Sequence, residues 1–454
     1  MKKNFARILC ISVVAAMCFS FAGCGQKSDQ GPANTTAQDQ SSQTSVSSAT
    51  NEKSAEPVTI RFISAYPDRK SGAGLAEQML LDNFAKEYPN ITIEQEQVAV
   101  IEPKIQAYMA SNDLPDVVYA LGNSAYMSPL VNGGYLQELN KSDYDSDGFI
   151  PGSLDTFTYN GKLYGLPRSS DFMVLYCNKA LFDQNGIKIP ATYSELLAAV
   201  KAFRAKNITP MSLDGKDQWP AGTFLQQLAL SYGGDQKAIN NDMANASFAA
   251  DPIMLKAAQM AKELNDLKAF QEGQVNADYG TARNYFGQGK AAMYYMGAWE
   301  SGMATDEAFS DDFKKNLVVV PFPAAENNKS TDIMAWNGGG TAVSANSKNK
   351  EAAMTFFNYI FRPEQWAKLY WQTGAGMPAQ KFDQFMTGQE NDVQKTLVNI
   401  LGSATSISGL NWYDTQTPDF KTQCIQLSEQ LFAGAISPED FLKEVDKQVA
   451  ALKQ

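Results

Sequence analysis

Apolar residues first fall into order at Val58, Ile60 and Phe62, which alternate with Thr59 and Arg61 in the period-two pattern of a strand with one buried face. The spacing then changes. Leu75, Met79, Leu80, Phe84 and Tyr88 line one face of a helix that stops at Pro89. Ile91-Thr92-Ile93 predicts a second strand, residues 102–111 a second helix, and Pro115-Asp116-Val117-Val118-Tyr119-Ala120 a short strand buried on both faces. Strand and helix in alternation predict an α/β lobe, whose ligand sites belong at the carboxyl ends of its strands, here 64–68 and 120–126. Further along, 161–167 reads as a turn and strand, and 173–176 as an apolar strand. Thr192 and Glu195 form a capping box ahead of a helix with the stripe Leu196, Leu197, Val200 and Phe203. Helical patterns cover 224–230 and 253–267, and strands return at 291–296 and 317–320. A helix over 350–361 must end before Pro363, and Ser437-Pro438 opens the last one.

Before Val58 the pattern is of a different kind. Met1 to Arg7 carry positive charge, and an apolar stretch from Ile8 to about Ala22 is shorter than a bilayer requires, so 1–23 is expected to be a signal peptide. Ser20-Phe21-Ala22-Gly23-Cys24 resembles a lipobox, which implies lipidation of Cys24. From there to residue 56 the chain is almost wholly Gln, Ser, Thr, Ala, Asp and Asn, too polar to offset the entropy of ordering it, and reads as a tether. Folding is expected from residue 57.

Composition removes whole classes of function. The chain of 454 residues has a net charge of −11, which argues against nucleic acid and anionic lipid as main partners. Histidine is absent, which removes the commonest metal ligand and general base, so neither zinc nor Ser-His or Cys-His catalysis is expected. Cys177 sits in an apolar strand pattern as a small hydrophobe, and a bond to Cys424 is left open. Residues 143–148 imitate the start of a calcium loop, but Leu154 stands where a bidentate Glu belongs, so an acidic surface loop is expected and no metal site. Tyr294 and Tyr295 are expected on opposite faces of a strand.

Several blocks then act together. Leu114 to Tyr119, Gly165-Leu166-Pro167, Leu175 to Phe182, Phe286 to Met293, Met296 to Trp299, Gly338 to Val343 and Gly376 to Ala379 resemble, in this order, the extracellular sugar-binding proteins of ATP-binding cassette importers, of the maltodextrin-binding type. The resemblance implies a periplasmic-binding-protein fold: two discontinuous α/β lobes joined by crossover hinge strands. It places crossings near 168–171, 291–296 and 336–339, with lobe one as 57–168 plus 293–335 and lobe two as 169–292 plus 336–454. It implies a monomer without a cofactor or catalytic residue, held at the outer face of the bacterial membrane by its lipid alone. Such a protein passes a mono- or oligosaccharide to permease subunits. A secreted glycosidase and a binder of another organic solute are the alternatives.

A pyranose offers hydroxyls at its rim and C–H patches on its faces, so its site needs planar hydrogen-bonding groups and aromatic platforms. The expected platforms are Trp299 after a strand, Trp336 beside a glycine run, Trp219, and the pair Trp412-Tyr413 in a Ser/Gly/Asn loop. Asp171 and Arg168 flank the first crossing, and Tyr66, Asp68 and Asn123 follow strand ends, so these five are the expected polar contacts. Trp366 and Trp371 lie on helices and are expected in the core.

Overall fold

The computed structural model describes residues 56–144, 148–325, 328, 332–404, 406–407 and 409–453. The expected signal peptide 1–23, the lipidation of Cys24, nearly all of the tether 24–56 and the middle of the acidic loop 143–148 lie outside them.

The strands that build the two lobes are β1 (Val58–Ser64), β2 (Ile91–Gln97), β3 (Val117–Leu121), β4 (Leu166–Pro167), β5 (Asp171–Asn178), β6 (Thr209–Ser212), β7 (Ala291–Gly297), β8 (Leu317–Val320), β9 (Ala335–Trp336) and β10 (Gly339–Val343). The first sheet has the order β2-β1-β3-β10-β4 and the second β8-β5-β7-β6, with β9 also on β5. In the first, β1 lies parallel to β2 and β3, and β10 runs antiparallel to β3 from Gly339 opposite Leu121 to Val343 opposite Val117. In the second, β5 and β7 are the middle strands, and every residue of β7 and all but the first of β5 are buried. That is why both read as unbroken apolar runs rather than alternations.

Helices cover the sheets: α1 (Gly72–Glu87), α2 (Ile101–Ser111), α3 (Ser124–Asn132), α4 (Tyr193–Ala205), α5 (Trp219–Ser231), α6 (Pro252–Asp266), α7 (Tyr279–Gly287), α8 (Lys350–Ile360), α9 (Trp366–Gln372), α10 (Pro418–Phe432) and α11 (Pro438–Ala451). The capping box of α4 is formed as expected, with the Thr192 hydroxyl accepting from Glu195 N and the Glu195 carboxylate accepting from Thr192 N. Two separate cores result. One holds Phe62, Leu80, Phe84, Val117, Phe356 and Trp366, and the other Leu175, Phe224, Leu264, Tyr295, Phe432 and Val445. Trp366 and Trp371 are both core residues.

The expected lobe boundaries need correcting in the middle of the chain. β7 pairs with β5 from Met173 opposite Gly297 to Cys177 opposite Met293, and β8 pairs with the other edge of β5, so 293–335 stays in lobe two. β10 and α8 instead join the first sheet and its core, so the segment that returns to lobe one is about 337–375. The crossings therefore fall at 168–170, at 337–338 and at about 374–379, and none at 291–296. A run such as Ala291 to Met296 states that both of its faces are covered; the sheet it joins is decided by which neighbour has free backbone groups.

The three crossings are stitched to one another. Gly339 O accepts from Arg168 N at 2.6 Å, Met377 O accepts from Ser170 N at 2.8 Å, and the Ser170 hydroxyl donates to Asn337 Oδ1 at 2.8 Å. The glycine run at 338–340 makes room for the protein itself. A Cβ at Gly338 would lie 2.2 Å from Trp336 Nε1, one at Gly339 2.4 Å from Tyr119 Oη, and one at Gly340 2.2 Å from the Phe157 ring. Cys177 and Cys424 are both buried and free, with burial pushing both thiols well above their usual range. Tyr294 packs beside Phe286 while Tyr295 stacks on Phe224 on the other face of β7.

Candidate functional site

Three half-buried indoles meet beside the crossings. Trp299 lies between Trp219 and Trp336, its ring centre 6.2 Å from the first and 6.1 Å from the second, at interplanar angles of 48° and 72°. Each is set there by local backbone. β7 ends at Gly297, and a Cβ on that residue would fall 2.0 Å from the Trp299 ring, so only glycine lets the indole fold back over the strand end. Trp336 is the last residue of β9 and stands opposite Asp171 at the start of β5. Trp219 opens α5 after Gln218, whose φ of 65° and ψ of −35° turn the chain sharply into the helix.

Asp171 is the polar group of this cluster. Its Oδ2 accepts from the Ser169 hydroxyl at 2.9 Å and from Gly339 N at 3.4 Å. Burial pushes its carboxyl up to about 6, and the Ser169 and backbone donors only partly offset that. From lobe one, Tyr66 lies near enough to feel both the Arg168 and the Asp171 charges, and burial raises its hydroxyl to about 12. The Tyr66 ring meets Tyr119 edge-on at 5.3 Å.

The other expected contacts have structural duties. Arg168 is fully buried: it is paired with Glu77, and its guanidinium carbon is 4.0 Å from the centre of the Trp366 ring. Removing one partner of such a buried pair costs about 3–5 kcal/mol, so Arg168 anchors the hinge. Asp68 accepts from Lys70 N and the Ser71 hydroxyl, both at 2.9 Å, and organises the turn into α1. Asn123 caps α3 by accepting from Tyr126 N at 2.9 Å. Trp412 and Tyr413, expected in the cleft, are each 1% exposed. Trp412 packs between Phe248 and Phe420, while Tyr413 donates to the Trp219 carbonyl at 3.1 Å from beneath α5. The loop composition that suggested exposure reflects a tight turn on the lobe-two core.

Sequence reasoning missed the groups under the indoles. Trp299 Nε1 donates to Tyr279 Oη at 3.0 Å, and that hydroxyl donates to Glu300. Arg283 joins Glu300 Oε2 at 2.8 Å to Asp306 Oδ2 at 2.8 Å. The only hint in the chain is the acidic Glu300 directly after the tryptophan, and its partner lies seventeen residues upstream. Among the described residues no group of three His, Cys, Asp or Glu is arranged to hold a metal ion, and no helix is long and apolar enough to cross a membrane.

Comparison with known proteins places this architecture. The chain matches the family described as bacterial extracellular solute-binding protein over residues 67–365. The multiple sugar-binding protein of Streptococcus mutans serotype c is 23% identical over 319 residues, 69% of this chain and 74% of that one. A solved structure from work on xylan utilization by the thermophilic bacterium Caldanaerobius polysaccharolyticus is 30% identical, with a TM-score of 0.77 over 86% of this chain and 99% of that chain. A chitin oligosaccharide binding protein, 22% identical, shares the fold with a TM-score of 0.75 over 88% of this chain and 99% of its own. With two α/β lobes, crossing strands and an aromatic cluster at the crossings, the chain belongs to the bacterial extracellular solute-binding protein family.

Proposed function

We propose that this protein captures an oligosaccharide between its lobes, on the platform of Trp219, Trp299 and Trp336 with Asp171 as hydrogen-bond acceptor, and delivers it to the permease of an ATP-binding cassette importer. The chain is a carbohydrate-binding protein of such a system and acts by binding, not catalysis. The observation that carries the reading is the trio of half-exposed indoles beside a carboxylate at the hinge whose burial its own donors only partly offset. Indole faces suit the C–H patches of a pyranose, and each aromatic contact adds about 0.5–1.5 kcal/mol beyond the area it buries. A carboxylate suits the hydroxyl rim. The xylan context of the 30%-identical structure and the name of the streptococcal relative support an oligosaccharide over a small organic solute. Lipidation of Cys24 and the polar stretch after it would hold the lobes off the membrane surface within reach of the permease.

Isothermal calorimetry over a panel of xylo-, malto- and chito-oligosaccharides tests this. Trp299→Ala is expected to weaken the tightest ligand by about tenfold or more while the fold is retained. Unchanged affinity would remove Trp299 from the site, and release of shorter products from any of the sugars would turn the reading to a glycosidase.

A further inference from the structure

Two of the three indoles are tied to one half-buried residue beside them, and its role rests on the reading of the indoles as the sugar platform. Tyr279 is the first residue of α7. Its hydroxyl accepts the Trp299 indole N–H at 3.0 Å. Its backbone N–H donates at 3.0 Å to Asp217 Oδ2, and the carbonyl of that same Asp217 accepts Trp219 N at 2.7 Å. One side chain and one peptide group therefore hold Trp299 and the turn that presents Trp219.

The hydroxyl is made directional from below. A tyrosine hydroxyl has one proton and can point it either way. Here the Glu300 carboxylate, 3% exposed, takes that proton as acceptor. Glu300 is itself engaged by Arg283, whose guanidinium is shared with Asp306 and held well above its ordinary range, with burial opposing and the two carboxylates favouring its charge. With its own proton committed to Glu300, the Tyr279 oxygen is left as acceptor, and the indole N–H is the donor that fills it. A Trp ring has two side-chain torsions, and a fixed N–H direction selects one setting of both. We infer that Tyr279 is a positioning residue for ligand binding: through the relay Arg283, Glu300, Tyr279 its hydroxyl presets the Trp299 ring at the angle a sugar face meets, while its backbone N–H steadies the turn that carries Trp219.

The consequence is specific. Tyr279→Phe keeps the ring and the backbone link to Asp217 but removes the acceptor for Trp299. Without it the indole samples more than one setting, and binding must then order it. The expected result on the full chain is a roughly three- to tenfold loss of affinity for the tightest oligosaccharide, a lowered unfolding midpoint in a single cooperative transition because the buried Glu300 carboxylate loses a donor, and a weakened near-ultraviolet circular dichroism band from the tryptophans. The same substitution placed in a Trp299→Phe background is expected to change affinity no further, because Phe has no N–H to hold. If Tyr279→Phe leaves both affinity and the tryptophan band at wild-type values, or if it weakens binding equally in the two backgrounds, the relay has no positioning role. Trp299→Phe keeps an aromatic face and reports on the indole alone: a loss of affinity there with none from Tyr279→Phe sinks this inference and spares the platform, no loss in either also sinks this inference, and no loss in Trp299→Ala sinks the platform as well.

Discussion

Asp171 is the residue of the indole cluster whose charge responds to pH near neutrality. Its carboxyl is raised to about 6 because the protein around it withholds solvation that one hydroxyl and two backbone N–H groups do not replace. Sugar hydroxyls donate hydrogen bonds, and they donate better to the ionised carboxylate than to the acid. Ligand binding therefore favours the deprotonated form and lowers the carboxyl from its free value. By linkage, affinity rises as pH climbs through about 6 and levels off above it, and falls as the free protein is protonated below it. Calorimetry between about pH 5 and pH 8 should show this slope in the wild type and none in Asp171→Asn. A flat wild-type profile would mean that Asp171 does not meet the ligand. At this scale the sequence was a fair guide to residue types and an uneven one to surroundings. Trp299 follows an apolar run that ends at glycine and Trp336 precedes a glycine run, and both signals are local. Trp412 and Tyr413 lie in a stretch of the same polar composition as a cleft loop, yet the fold presses that stretch onto Gly222 of α5, a contact across nearly two hundred residues that no local pattern carries.

At the scale of elements, the lobes also meet away from the crossings, at an ion pair. α2 follows β2, the outer strand of the first sheet, and its first turn carries Glu102. Across the gap, Lys421 of α10 lies 2.9 Å from Glu102 and 3.0 Å from Asp414. Burial opposes the lysine charge, and the two carboxylates more than restore it, so its ammonium is held above the usual range. Asp414 belongs to the same lobe as Lys421 and Glu102 to the other, so the Glu102 pair needs the lobes together. Nearer the crossings, α1 and residue 302 touch so closely that a Cβ on Gly302 would sit 3.1 Å from Gly72 Cα. Glu102→Gln is expected to weaken ligand affinity by roughly three- to tenfold and to reduce its dependence on salt, because only the pair between lobes is lost. Equal affinity and equal salt dependence in the two proteins would show that the pair does not contribute to closure. The helices and strands themselves were largely legible, since capping boxes, proline stops and apolar periods are local. Their assignment to lobes was not: β7 and β10 are both short apolar runs next to glycine, and only pairing with β5 or with β3 separates them.

For the whole molecule, each lobe has its own sheet and core, and three short crossings tie them along one side. Rigid halves on a narrow joint move as bodies, and a ligand shifts that movement only by binding one arrangement better than another. The indoles and Asp171 sit in lobe two and at the joint, while Tyr66 comes from lobe one, so a ligand spanning them favours the arrangement in which the lobes meet. Small-angle X-ray scattering on the wild-type protein, with and without the oligosaccharide that calorimetry ranks tightest, tests this most directly. The radius of gyration is expected to fall on addition of sugar, with the Glu102→Gln protein starting from a wider free form. A bound sugar that leaves the scattering curve of the wild-type protein unchanged would contradict it.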